Sequence, residues 1–403
     1  MRILHISTRL ILGGSQENTV LSCEGQSRLG HEVHLAFGPI YGPEGSFLPR
    51  VDTFNAAAEQ PITTHVIDDM VRELNPVRDW KALRQTRSLI DAIQPDIVHT
   101  HSSKAGVIGR LAAWRSKARP GIVHTVHGPP FMPVEGSFLS QQKIKRKNDV
   151  YTLAERHAAK RCHIIACVCE AMRDQFLERR IGTPEQYEVV YSGMEIDGFL
   201  RARENEDRAS VRTELRFTDD DFVIGTVARL AEHKGHDDVL DALSEDLKRD
   251  PKLKLLWVGE GWWGERLRAR VSSMGIDKQV VFTGLVPGER VPAMMRAMDV
   301  LVHPSYREGL PRTVPQALLS GTAVVATDAD GTREVCIDGK TGRLVPVANT
   351  KAIGDALRWM RDHPKERAAM TAHGREMCQS KFSAEAMVEA LETVYKAALA
   401  KER

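Results

Sequence analysis

The feature that most constrains this chain is a rhythm. Short apolar runs alternate with longer segments of helical periodicity; the pattern breaks near residue 193 and then starts again. Strands read over 2–7, 32–37, 96–100, 121–126, 163–169 and 187–191, then over 222–228, 253–258, 279–283, 299–303 and 323–326. Helices read over 79–94, 104–117, 235–248, 263–274, 351–362 and 383–400. Strands that are apolar along their whole length are buried on both faces, and helices between them make the crossovers of a parallel sheet. The restart therefore predicts an α/β chain of two doubly wound, Rossmann-like domains, 1–192 and 193–380. Their join is the glycine-bearing, charged stretch SGMEIDGFLRARENEDRAS, which no core would accept. In the remaining segment, 381–403, Met387, Leu391, Val394 and Ala398 share one helical face by their 3–4 spacing, so this helix is expected to pack back on the first domain.

Composition removes several classes of function. A chain of 403 residues can bury two cores without disulfide or metal staples. Fifty-six basic residues against 54 acidic ones leave a net charge of +2, which excludes a histone-like or acidic-tail protein. No run approaches the roughly 18 apolar residues of a spanning helix. The opening MRILHISTRL lacks the apolar length and cleavage site of a secretory signal and reads as a first buried strand. Six cysteines without such a signal suggest free thiols in a reducing cytoplasm. Cys167 and Cys169 alternate onto one strand face, where core packing is a better account than a metal.

Ligands of open α/β sheets bind beyond the carboxyl ends of the strands, so the loops there hold the candidates. After the first strand comes TRLILGGSQEN, where Gly13 and Gly14 permit close backbone approach and unusual dihedrals. A helix starting at Ser15 or Gln16 would offer free amides to an anion, although a plain strand-to-helix turn fits as well. In HTVHG, His127 lies just past a strand and before Gly128, at the edge where a histidine can touch substrate. His99, His101 and His124 come from the same strand ends; no third carboxylate or thiol accompanies them at ligand spacing, so they read as structural rather than zinc-binding. ARLAEHKGH places Arg229 and Lys234 beside a helix start, an anion site suited to a departing diphosphate when no metal is present. The alternative is two solvated surface charges. VGEGWW brings Gly259 and Gly261 around Glu260 in a tight turn with room for a flat base or a ribose. In HPSYREGLPRTVPQALLSG, Pro315 cannot sit inside a helix, so the helix must begin near 312–314 and aim free amides at a ligand. Glu308, before Gly309 and Leu310, offers a carboxylate to sugar hydroxyls, and Gln316 offers an amide to a ribose. TDADGTREV contains a D-x-D, Asp328 and Asp330, which reads as a turn lining the same pocket rather than as a metal site.

Taken in order, ARLxxxKG, VGEG, PSxxEGLPxxxxQALxxG and TDxxGxxEV, with the early double glycine and TVHG, resemble the retaining glycosyltransferases of the GT-B fold, group 1 (glycosyltransferase family 4). HTHSSKAGVIGRLAA and VHTVHGPPF are similar to members that build bacterial polysaccharides or lipid-linked oligosaccharides. The resemblance implies two domains facing a central cleft, the first binding the acceptor and the second the nucleotide-sugar. It implies that Arg229 and Lys234 hold the donor diphosphate and that Glu308 binds the sugar. It implies further that His127 contacts the sugar near the reacting centre, and that Gly13 and Gly14 approach phosphates or acceptor. Gly259, Glu260, Gly309, Leu310 and Gln316 would complete the donor site. It also implies no metal or other cofactor, and front-face attack in which the leaving phosphate takes the acceptor's proton. The donor is expected to be a UDP-sugar before a GDP-sugar, and the acceptor a saccharide or a polyprenyl-diphosphate-linked sugar. The chain departs from the family in two places. Gln316 stands for the usual glutamate, a loss of charge assistance of about 1 kcal/mol. Ser192-Gly193-Met194-Glu195 stands for the usual Asn-Gly-Val-Asp, with no expected effect on function.

Between 110 and 180 there are 14 Lys/Arg against 6 Asp/Glu. The centre of this excess, Lys143, Lys145, Arg146 and Lys147, lies downstream of PPFMP and Phe138-Leu139, a combination suited to an anionic membrane surface. A cytoplasmic protein, peripheral on the inner face of the membrane, is the expectation. No aromatic-interleaved platform supports nucleic-acid binding. Two alternatives stay open: a sugar-nucleotide epimerase on the same scaffold, and a non-catalytic sugar-nucleotide binder.

Overall fold

A computed structural model describes residues 1–41, 45–128, 131 and 138–401, with 138–140 as backbone only. The chain forms two compact units, Met1–Met194 with Ala384–Arg403, and Glu195–Ser383.

The first unit contains seven strands: β1 (Arg2–Ser7), β2 (Glu32–Phe37), β3 (Thr63–Val66), β4 (Ile97–His101), β5 (Gly121–Val126), β6 (Ile164–Cys167) and β7 (Tyr187–Val189). They form one parallel sheet in the order β3-β2-β1-β4-β5-β6-β7. The second unit contains β8 (Phe222–Val227), β9 (Leu253–Val258), β10 (Val280–Gly284), β11 (Val300–His303), β12 (Ala323–Thr327) and β13 (Arg343–Val345). They are parallel in the order β10-β9-β8-β11-β12-β13. Both sheets are doubly wound. The strand order reverses between β1 and β4 in the first, and between β8 and β11 in the second. At such a reversal the crossovers leave in opposite directions and open a crevice at the carboxyl ends.

The central strands β4, β5, β11 and β12 are buried along their whole length, histidines and threonines included. All six cysteines are free, buried thiols. Two strands have no such run in the sequence. β3 reads TTHV and lies at an edge, largely exposed, and β13 is a three-residue edge strand. Among the described residues no helix is long and apolar enough to cross a membrane.

The helix Ala384–Ala400 belongs to the first unit. Met387, Leu391, Val394 and Ala398 are buried against Ile3, Leu21, Ile97 and Val123, the core of the first sheet. Its neighbour is the helix Gly14–Arg28, and the two meet at Gly25, where a β-carbon would lie 2.4 Å from Val388 Cγ2. Glycine is required there by contact, not by dihedral. Gly25→Ala should therefore cost about 1–3 kcal/mol through overpacking. In thermal unfolding the double variant Gly25→Ala/Val388→Ala should be more stable than the sum of the two single changes; strict additivity would place the clash elsewhere.

Candidate functional site

Two constellations stand out, one at each reversal of strand order. In the second unit the loop after β8 carries Lys234 and the loop after β11 carries Glu308. Gly235 binds the loops together: its φ is +69°, and a β-carbon there would lie 2.1 Å from the Pro304 carbonyl oxygen. Tyr306 N donates to His233 O at 2.9 Å, and Ser305 Oγ donates to the same oxygen at 3.2 Å. This docking brings Lys234 Nζ to 2.5 Å from Glu308 Oε1. His303, at the end of β11, lies 3.1 Å from that oxygen through Nε2, while its Nδ1 is 3.2 Å from Thr313 Oγ1. Asp330 completes the frame by accepting from Glu308 N at 2.8 Å. It holds a left-handed φ of 46° to do so. Burial pushes the Glu308 carboxyl up, but the His303 contact and charge, and then Lys234, hold it well below the usual carboxylate range.

Arg229 is exposed just past β8, its guanidinium 5.6 Å from the ring centroid of exposed Trp262. Among the described residues it forms no ion pair. Glu260 is exposed and its Oε2 lies 3.9 Å from Arg268. Gly309 O accepts from Gly331 N at 3.1 Å, and Leu310 is buried. Gln316 is half-buried in the helix Thr313–Leu319, which starts where Pro315 requires.

The dihedrals expected of Gly13 and Gly14 need correction, and the other two loops have structural partners of their own. A β-carbon at Gly259 would lie 2.2 Å from Ala228 O and one at Gly261 2.3 Å from Leu230 O, so both glycines are required by the close approach of the protein's own backbone. Gly13 is extended (φ 178°), Gly14 is the first helical residue, and neither has an unusual dihedral. In the D-x-D, Asp328 takes two hydrogen bonds from Arg333 and Asp330 anchors Glu308, so both carboxylates have structural partners.

In the first unit, the reversal carries histidines in place of charges. His127 lines a cavity of about 390 Å³ with Ser15, Ser102, Thr125 and Glu155. Its Nε2 is 2.9 Å from His101 Nδ1, and His101 Nε2 is 2.9 Å from His5 Nδ1. His124 lines the same cavity, its Nδ1 at 3.0 Å from Thr100 Oγ1. Among the described residues the one group with ligand atoms close enough for a metal is His5, His99 and His101, without His124. Its nitrogens all have protein partners at hydrogen-bond distance. His5 was not anticipated, because it sits inside the strand and not in a loop.

The basic residues are on the helix Phe138–Ala159, where Lys143, Lys145, Arg146 and Lys147 are exposed. Arg146 and Lys147 line an apolar groove of about 500 Å³ with Leu74, Trp80, Val150 and Tyr151. The apolar partners expected upstream fall largely outside the described residues: of PPFMP only Phe131 is described, and the Phe138 and Leu139 side chains are not. Phe131 is buried beneath the Arg179 guanidinium, 4.1 Å from its ring centroid.

The description "Glycosyltransferase Family 4" matches residues 12–197, and "Glycosyl transferases group 1" matches 207–377. A GDP-mannose-dependent alpha-(1-6)-phosphatidylinositol monomannoside mannosyltransferase of Mycolicibacterium smegmatis is 31% identical over 280 residues, 67% of this chain and 68% of that protein. A UDP-Gal:alpha-D-GlcNAc-diphosphoundecaprenol alpha-1,3-galactosyltransferase of Escherichia coli is 25% identical over 304 residues, 74% of this chain and 75% of that one. In fold, the chain is similar to Anabaena HepE, solved in complex with UDP, with a TM-score of 0.77 at 19% identity, covering 98% of this chain and 100% of that one. The chain belongs to the group 1 glycosyltransferases, of the family 4 type with the GT-B fold.

A native carboxyl held below its ordinary 4.5 stabilises the fold fully above that value and progressively less as pH falls below it. Urea unfolding of the native chain and of Glu308→Gln should show the native advantage shrinking by roughly 0.8 kcal/mol between about pH 7 and about pH 4. An advantage that is constant or growing would contradict the assignment.

Proposed function

We propose that this glycosyltransferase moves a sugar from a nucleoside-diphosphate donor with retention of configuration and without a metal. The donor is a UDP-sugar before a GDP-sugar. The acceptor is a saccharide or a polyprenyl-diphosphate-linked sugar in cell-surface polysaccharide assembly. The carrying observation is the Lys234–Glu308 pair at the carboxyl ends of β8 and β11. It sets a cation for a diphosphate beside a carboxylate for sugar hydroxyls. Lys234 and His303 both approach Oε1, which leaves Glu308 Oε2 to accept from the sugar. Lys234 is half compensated by its partner, so Arg229, without an ion pair among the described residues, supplies net charge to the leaving diphosphate. His127 offers its ring to the transferring sugar. The diphosphate oxygen takes the acceptor's proton as the new bond forms on the face the donor vacates.

The named relatives use UDP- and GDP-linked sugars and lipid-linked acceptors, which supports this reading. A thermal-shift series with UDP-, GDP-, ADP- and TDP-sugars tests it. The right donor at about 100 times its dissociation constant adds about 2.7 kcal/mol. Arg229→Ala and Glu308→Ala should lose that gain, turnover should survive a chelator, and the product anomer should match the donor. Stabilisation by no donor, loss of turnover with chelator or an inverted product would each defeat it. Gln316→Glu should tighten donor binding in calorimetry by about fivefold, the charge assistance at the ribose being worth about 1 kcal/mol.

The apolar groove rimmed by Arg146 and Lys147 supports peripheral docking on an anionic bilayer at the cytoplasmic face, with the exposed Trp80 (55%) at the interface. Vesicle co-sedimentation should depend on anionic lipid and fall when Lys143, Lys145, Arg146 and Lys147 are neutralised together. Equal sedimentation in both comparisons would refute it.

A further inference from the structure

Behind the cavity at His127 runs a hydrogen-bonded network whose inner members are fully buried: His5, Gln26, His99, His101 and Tyr395 are each 0–1% exposed. Gln26 is its branch point. One branch runs His5, His101, His127; the other runs Tyr395, His99, Thr125. Both ends line the same cavity.

A neutral imidazole has one N–H and one lone pair, so each contact fixes the next. Gln26 Nε2 donates to Tyr395 OH at 2.9 Å, and Gln26 Oε1 therefore accepts from His5 Nε2 at 2.7 Å. His5 Nδ1 must then accept from His101 Nε2–H, and His101 Nδ1 from His127 Nε2–H, each at 2.9 Å. This makes Nδ1 of His127 an acceptor. Along the other branch, Tyr395 OH has accepted from Gln26 and donates to His99 Nδ1 at 2.7 Å. His99 Nε2–H then donates to Thr125 Oγ1 at 2.7 Å, so the Thr125 hydrogen is available to donate. Half a turn of the Gln26 amide would reverse every bond in both branches.

We propose that Gln26 is a positioning residue that sets the hydrogen-bonding character of His127 and Thr125 together, one as acceptor and the other as donor, for a hydroxyl-bearing ligand. Only the ligand's identity rests on the glycosyltransferase reading.

Two other uses of the network fit less well. A metal at His5, His99 and His101 would have to displace hydrogen bonds that already engage their nitrogens. A proton store is disfavoured because burial lowers His5 to about 4, against the Gln26 hydrogen bond, and drives His99 and His101 further below their ordinary value. The rings stay neutral, and neutral rings in series transmit polarity.

The test uses the full chain with ¹⁵N-labelled histidine, without substrate, so its failure is separate from failure of the transferase reading. Long-range ¹H–¹⁵N spectra at neutral pH should place the hydrogen of His5, His99, His101 and His127 on Nε2. Gln26→Met should turn His99 and His127 into tautomer mixtures. Tyr395→Phe, which removes a single oxygen, should turn His99 into a tautomer mixture, because His99 Nδ1 loses its donor. A native set that is mixed or all Nδ1, an unchanged His127 in Gln26→Met, or an unchanged His99 in Tyr395→Phe would overturn the proposal.

Discussion

The second unit is organised around one ion pair that is neither fully buried nor freely solvated. The Lys234 and Glu308 side chains are 20% and 14% exposed, and the residues lie 74 apart in sequence. At that depth either charge alone would be costly, so the two act as a unit, and both loops must stay in register to keep them together. Everything nearby serves that register: Gly235 against Pro304, the His233 carbonyl taking two donors, and Asp330 strained into a left-handed backbone to hold Glu308 N. An anion that reaches Lys234 meets a carboxylate at the same moment. A ligand with both phosphate and hydroxyl groups satisfies both, whereas a bare phosphate satisfies one and repels the other.

The first unit answers the same topological opportunity with different chemistry. At the reversal between β1 and β4 it places buried imidazoles and an amide, joined by hydrogen bonds. Burial here suppresses charge and leaves direction as the only variable in the network. The two units thus divide the work of polar recognition between charge and hydrogen-bond polarity, on sheets of the same winding.

Much of this was legible in the sequence because it depends on local pattern. Eleven of the strands coincide with unbroken apolar runs, and the start of the helix Thr313–Leu319 follows from Pro315. The strands that were not legible, β3 and β13, are edge strands whose stability comes from a neighbour. The helix Gly14–Arg28 hides its character for a related reason: its buried face includes Asn18, Glu24 and Gln26, polar groups with partners distant in sequence. Glu24, for example, accepts from Arg50 at 2.7 and 2.8 Å. In the site, residue types were legible but pairings were not. Arg229 and Lys234 read as two equivalent cations, yet one stacks on an indole and the other is bound to Glu308. The glycines of VGEG read as space for a ligand, and their missing side chains also admit the backbone at Ala228 and Leu230. His5, inside β1, and His303, at the end of β11, gave no signal beyond membership of a strand.

The first unit is discontinuous in sequence, with residues 195–383 inserted between its body and the helix Ala384–Ala400 that seals its core. On a ribosome the order of completion therefore inverts the order of synthesis. The inserted unit has all its strands before that helix emerges, while the earlier half waits with Ile3, Ile97 and Val123 uncovered. Nascent chains stalled within the insert should thus present an apolar sheet face to holdase chaperones.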